Sequence, residues 1–172
     1  MKKNLLFIGL FYAGIAGSGQ PSIQVYGFQQ QSLPGTIPTG LKDENGNPVK
    51  KAAAKVNYLI FLSFKKNSSI TPSIVFVNGS PFKAQTTPVE KTPVEYTNHT
   101  IPNQPVAKIL VPKTNRKVLR IEPAEKIEEN AVDPHLLELA KVNNLVIAYQ
   151  WKKRNYFVTL KKMNELDPQL NE

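Results

Sequence analysis

The chain predicts a mostly β protein: an antiparallel β-sandwich (Ig-like or similar) with one short helix, behind an N-terminal signal peptide. Three observations predict this. Short apolar runs alternate between two faces, with turn residues at frequent intervals. One segment alone combines helical spacing with a start signal. Strands do not alternate with long helices, which argues against a doubly wound α/β fold.

The first twenty residues carry the export reading. Met1-Lys2-Lys3-Asn4 is a short basic start, Leu5 to Ala16 is an uncharged apolar run, and Gly17-Ser18-Gly19 supplies small residues after it. A spanning helix needs about 20 predominantly apolar residues. This run is shorter, and polar Ser18, Gln20 and Ser22 follow at once. The expected division is therefore a signal peptide over 1–19 and a single β-sandwich domain over 20–172, with no later membrane span. The expected location is periplasmic, outer-membrane-associated or extracellular, in a bacterial envelope.

The chain has no cysteine, which removes disulfides, thiolate metal sites and cysteine nucleophiles. Residues 20–172 are numerous enough to bury a core without covalent staples. The formal charge is +9. Without Lys2 and Lys3 the count is 20 basic against 13 acidic residues, a net +7. Such a surface attracts anionic partners, and it also simply keeps a domain dispersed.

The elements follow in order. Ser22 to Gln30 reads as a strand with Ile23 and Val25 on one face and Tyr26 and Phe28 on the other. A Gly/Pro loop occupies 31–48. Asn57 to Lys65 is the strongest strand. Tyr58, Ile60, Leu62 and Phe64 line one face and Leu59 and Phe61 the other, so both faces should be covered and the strand central. Ser73 to Val77 leads into Asn78-Gly79, the residue pair favoured in a type I′ hairpin turn. That turn sets Val77 opposite Ser80 and Val75 opposite Phe82. Pro81 lacks an amide donor, so the returning strand is expected at an edge or irregular.

The stretch 81–123 is Pro-rich and reads as edge strands and extended crossovers. Within it Thr87-Pro88-Val89-Glu90 recurs as Thr92-Pro93-Val94-Glu95. Val106 to Val111 and Lys117 to Ile121 read as two strands of a middle hairpin, joined by Pro112 to Arg116. Pro134 to Val142 is the helix. Asp133 suits its cap, Pro134 its first position, and Glu138 and Lys141 its outer side. Leu145 to Trp151 and Tyr156 to Lys161 form the last hairpin. A turn centred on Lys153-Arg154 would pair Trp151 with Tyr156, Tyr149 with Val158 and Ile147 with Leu160. Beyond Lys162 a polar, fraying tail is expected.

Little of this carries chemistry. His99 and His135 each stand without a second histidine at ligand spacing and read as exposed polar residues. The Gly-x-Ser-x-Gly elbow and the phosphate-cradling Gly-rich loop do not occur. Glu122, Glu125, Glu128, Glu129 and Asp133 crowd one segment. They read as a solvated lead into the helix rather than as two acids facing across a sugar bond. Asp43 to Asn47 resembles part of a calcium loop but lacks its alternating acids and distal glutamate. No cofactor, metal or catalytic residue is expected.

Two basic groups stand out. Lys152-Lys153-Arg154 forms a hairpin tip between Trp151 and Tyr156, and Lys113, Arg116 and Lys117 lie at the middle strands. These six are the candidate contacts for a partner or anionic ligand. Charged tips are also what solvation alone produces. A sheet edge left unblunted offers a different kind of site, because it can accept a partner's strand. Strand order is not readable here, so the sequence does not choose the edge.

The expectation is a non-enzymatic, exported cell-envelope protein, an interaction module serving as accessory subunit of a larger periplasmic or outer-membrane assembly. The first alternative is a binder of anionic polysaccharide or lipid headgroups through the basic hairpin tips. The second is a small wall or glycan hydrolase. Nucleic acid is not an expected partner.

Overall fold

β-Branched and aromatic residues dominate the extended segments, and turn residues punctuate them, so most of the described chain is strand. The computed structural model describes residues 21–33, 55–98 and 107–170. The expected signal peptide, most of the 31–48 loop, Asp43 to Asn47 and His99 lie outside them. The strands are β1 (Ile23–Leu33), β2 (Lys55–Phe64), β3 (Ile70–Val77), β4 (Ser80–Val89), β5 (Val94–Tyr96), β6 (Lys108–Val111), β7 (Lys117–Lys126), β8 (Leu145–Trp151), β9 (Arg154–Leu160) and β10 (Asn164–Leu170). A 3-10 turn at Glu129–Ala131 and helix α1 (Pro134–Val142) sit between β7 and β8.

Eight strands form one sheet in the order β10-β1-β2-β7-β4-β3-β8-β9, and β5 and β6 form a separate two-stranded ribbon. Every ladder is antiparallel except β1 with β10, which is parallel. The large sheet is curled. Its inner face meets itself at Gly27 of β1, where a Cβ would lie 2.8 Å from Leu160 Cδ2 of β9, 3.1 Å from Met163 Cγ and 3.2 Å from Leu145 Cδ2 of β8. Any side chain there would push the ends of Leu160, Met163 and Leu145 aside, which glycine does not.

Three apolar clusters hold the curl. Inside it, Ile60, Leu62, Phe64, Val75, Ile121, Leu145, Ile147, Tyr149 and Met163 are buried together. Full burial of one such aliphatic or aromatic side chain contributes about 1.5–3 kcal/mol. On the outer face of β1, β2 and β7, Phe28, Phe61 and Val118 are covered by Leu110 and Val111 of the ribbon. The two Thr-Pro-Val-Glu copies converge there, because Val89 and Val94 both pack on this cluster. On the outer face of β3 and β8, Phe76 and Val146 are covered by Ala140, Leu136 and Leu139 of α1.

Locally signalled features agree with the sequence reading. β2 is interior and covered on both faces. Asn78 and Gly79 take positive φ of 48° and 85°, and Val77 faces Ser80 and Val75 faces Phe82. The α1 boundaries match, and Asp133 accepts the His135 amide at 2.9 Å.

Long-range placement narrows that reading once and departs from it four times. β4 is interior, between β3 and β7, rather than at an edge, so of the two outcomes expected for it the irregular one holds. Val77 and Ser80 flank a two-residue turn and so exchange both hydrogen bonds, which turns the Pro81 nitrogen away from β3. Pro81 still accepts from the Ile127 amide at 3.0 Å, and β4 is irregular at Phe82–Ala84. The middle hairpin does not form: β6 pairs with β5, while β7 pairs with β2 and β4. β3 starts earlier than expected, at Ile70, because a register shift between Pro72 and Ile74 lets the strand continue past the proline.

The last hairpin is tighter than expected. Its turn is Lys152-Lys153, at φ 47° and 62°, and the pairs are Trp151 with Arg154, Tyr149 with Tyr156 and Ile147 with Val158. A two-residue primed turn twists as the strands twist, which a longer loop does less well. The two-residue slide leaves each side chain on its expected face, since faces alternate with period two. Finally, the polar tail is β10. Leu166 within it and Met163 just before it are buried, and that anchors it against β1.

Candidate interaction surface

The catalytic-looking side chains are dispersed. His135 is exposed at the start of α1, with its ring edge-on to Phe157 at 5.5 Å. Glu122 pairs with Arg120 at 3.0 Å and Glu125 with Lys83 at 2.6 Å. The Lys83 ammonium holds the Glu125 carboxyl below its usual range through hydrogen bonding and charge. Asp133 is engaged as a cap. Among the described residues, no three His, Asp or Glu side chains gather as a metal site, and no helix is long and apolar enough to cross a membrane.

Two open depressions mark the surface. One, of about 530 Å³, is lined by Lys126, Ile127, Glu128, Glu129 and Asn130. The other, of about 510 Å³, lies between the β3–β4 turn and the end of α1. Its amide groups bind one another: Asn144 Nδ2 donates to Asn78 Oδ1 at 3.0 Å, and Asn143 Nδ2 to the Leu139 carbonyl at 2.8 Å. The Asn78 amide reaches the Asn144 carbonyl at 2.8 Å. These bonds clasp turn to helix, which is a structural task.

The six basic candidates divide. Lys113 is exposed on the link before β7. Arg116 is structural: its Nη2 donates to the carbonyls of Ser22 at 2.5 Å and Ser63 at 3.2 Å, tying β1 and β2 to the link. Among the described residues its Nε is buried without a hydrogen-bond partner. Lys117 opens β7 with its ammonium 5.9 Å from the centre of the Phe64 ring. Lys152, Lys153 and Arg154 are exposed together at the β8–β9 turn, and the Lys152 ammonium lies 4.6 Å over the Trp151 ring. In the middle group Arg116 is engaged with backbone carbonyls, while all three basic residues of the tip are exposed.

The two ends of the large sheet complete the surface. β10 is secured. Gln30 Nε2 of β1 donates to the Asp167 carbonyl at 2.8 Å and to the Tyr96 hydroxyl. Asn98 Nδ2 reaches the carbonyls of Asp167 at 3.3 Å and Pro168 at 3.0 Å, and Lys108 Nζ that of Glu165 at 3.1 Å. β10 also bears Pro168, Glu165, Asp167 and a register shift, all of which blunt an edge. β9 has none of these. It runs Arg-Asn-Tyr-Phe-Val-Thr-Leu in unbroken register with β8, and among the described residues no strand pairs with its other side. The sequence reading missed this edge because it depends on which strands β8 and β10 choose as partners.

No known protein family matches the chain, and no curated protein and no solved structure does either.

Proposed function

We propose that this protein is a non-enzymatic, exported interaction module, sandwich-like in that the curl lays β1 over β8 and β9, and that it serves as an accessory subunit of a larger cell-envelope assembly. The supporting observation is the β9 edge, seven residues long, free of proline and bulges, which among the described residues pairs with no further strand. Isolated domains normally blunt or cover such an edge, because it templates pairing with another chain. The basic, apolar and small-residue order of the first twenty residues supports export. Crosslinking in intact cells, with mass spectrometry of what stays attached to the tagged chain, tests the reading. A reproducible envelope complex is expected. A chain recovered only by itself overturns it.

The exposed Lys152-Lys153-Arg154 tip favours a second reading, binding of acidic polysaccharide or lipid headgroups. Such binding weakens steeply with salt. It must also disappear when these three are made neutral; binding that survives removes the tip from the site.

A further inference from the structure

The side of β9 that pairs with no strand among the described residues is bracketed by positive charge. Lys152, Lys153 and Arg154 are exposed at one end, Lys161 and Lys162 at the other, and no Asp or Glu occurs between Leu145 and Met163. At about 3.4 Å per residue the two cationic ends stand roughly 20–27 Å apart, the span of seven to nine extended residues. Between them one side of the strand is apolar and the other mixed, with Phe157 between Asn155 and Thr159. Tyr156, Val158 and Leu160 pack on the inner core and Phe157 on the α1 side, each only partly buried. A strand added here would extend the ladder beside Tyr156, Phe157 and Val158, while Leu160 is already packed under Gly27 of β1.

Charge selects the occupant. If a second copy paired through β9 in antiparallel sense, Lys152, Lys153 and Arg154 would face the other copy's Lys161 and Lys162. In parallel sense each cluster would face itself. Like charges directly opposed destabilise a strand pair, whichever its direction. An extended segment with carboxylates at its ends would neutralise both clusters while its backbone completes the ladder.

Resting on the interaction-module reading above, we propose that β9 accepts an acidic-ended β-strand from a different protein, and that the two cationic clusters exclude a second copy of this chain.

The test uses the full chain and a labelled peptide, acetyl-Asp-Glu-Val-Thr-Val-Thr-Val-Glu-Asp-amide. Partner peptides carry lysine at the four acidic positions, or N-methyl groups on alternate residues in the two possible phases. The acidic peptide is expected to bind at least about tenfold tighter than the lysine peptide. It should slow hydrogen exchange at alternate β9 amides, and one N-methyl phase should abolish binding. Binding without β9 protection, or indifference to both N-methyl phases, overturns the proposal and assigns mere charge attraction to the tip. Equal binding of the lysine peptide overturns the selectivity, and so does sedimentation as a dimer with β9 amides protected. The double variant K152E/K161E, whose sites are exposed, should reverse the peptide preference. A cellular complex that forms normally with that variant leaves the interaction reading standing and refutes the β9 assignment.

Discussion

The two ends of the large sheet solve the same problem in opposite ways. β10 lies parallel to β1 with a register shift, is tied down by Gln30, Asn98 and Lys108 through its own carbonyls, and carries Glu165 and Asp167 within the strand. β9 pairs with β8 without a register shift and is charged only at and beyond its ends. Among the described residues, one end of the sheet is secured and the other carries no further strand. The secured end uses buried side-chain amides, whose loss leaves carbonyls without donors; the open end depends on a two-residue turn.

The largest expected effect is at the secured end. Gln30 is 3% exposed, and Gln30→Ala removes the donor to Asp167 and to Tyr96. A loss of about 1–3 kcal/mol is expected, with faster hydrogen exchange concentrated in β10. Equal loosening of β9 and β10 would mean the two ends are one cooperative unit, and the contrast would fail.

A smaller and opposite effect is expected at the open end. Lys152 and Lys153 both sit in the left-handed region, where an ordinary residue costs about 1–2 kcal/mol. Replacing them by Asn and Gly should raise stability by about 1 kcal/mol, since that pair is the preferred I′ turn. Thermal unfolding measures it, and an unchanged midpoint would show that the lysines are held without strain.

The smallest effect is a pH dependence beside the junction with β10. Tyr26 precedes Phe28, where β10 begins to pair. Burial raises its hydroxyl above the usual range, and the Arg116 charge opposes the rise. A raised value favours the neutral phenol in the fold. Its contribution is therefore complete below the unfolded value of about 10 and is lost as pH rises through the folded one. Tyr26→Phe should flatten the alkaline fall of stability; an identical fall in the variant would place the titration elsewhere.

What the sequence disclosed and what it hid divide by range. Asn78-Gly79 and Asp133-Pro134 act over a few residues, so turn and helix were legible to the residue. The alternation in β1 and β2 assigned each side chain its face, because neighbouring residues carry that information. The β8–β9 pairing was misplaced by two positions, since period-two patterning cannot tell a register from its neighbour two away. β10 was hidden because Met163 and Leu166 are its buried anchors amid polar residues, and its partner lies far upstream. The six basic candidates were visible as charge. That Arg116 is tied to backbone carbonyls while the β8–β9 tip is exposed is a tertiary fact. The β9 edge was invisible for the same reason.

The clasp between β1 and β10 joins residues 137 positions apart, Gln30 with Asp167. Contacts so distant in sequence slow folding, because the loop between them must close before they contribute. A chain that emerges N-terminus first presents β1 at the outset and completes its pairing only when the last strand arrives. Until then β1 has one ladder partner at most, and its unpaired side is a hazard that a holding chaperone would shield. The same pairing makes the finished sheet sensitive to cleavage before β10: losing Asn164–Leu170 would reopen β1, whose Gln30 lies 137 positions from its partner Asp167.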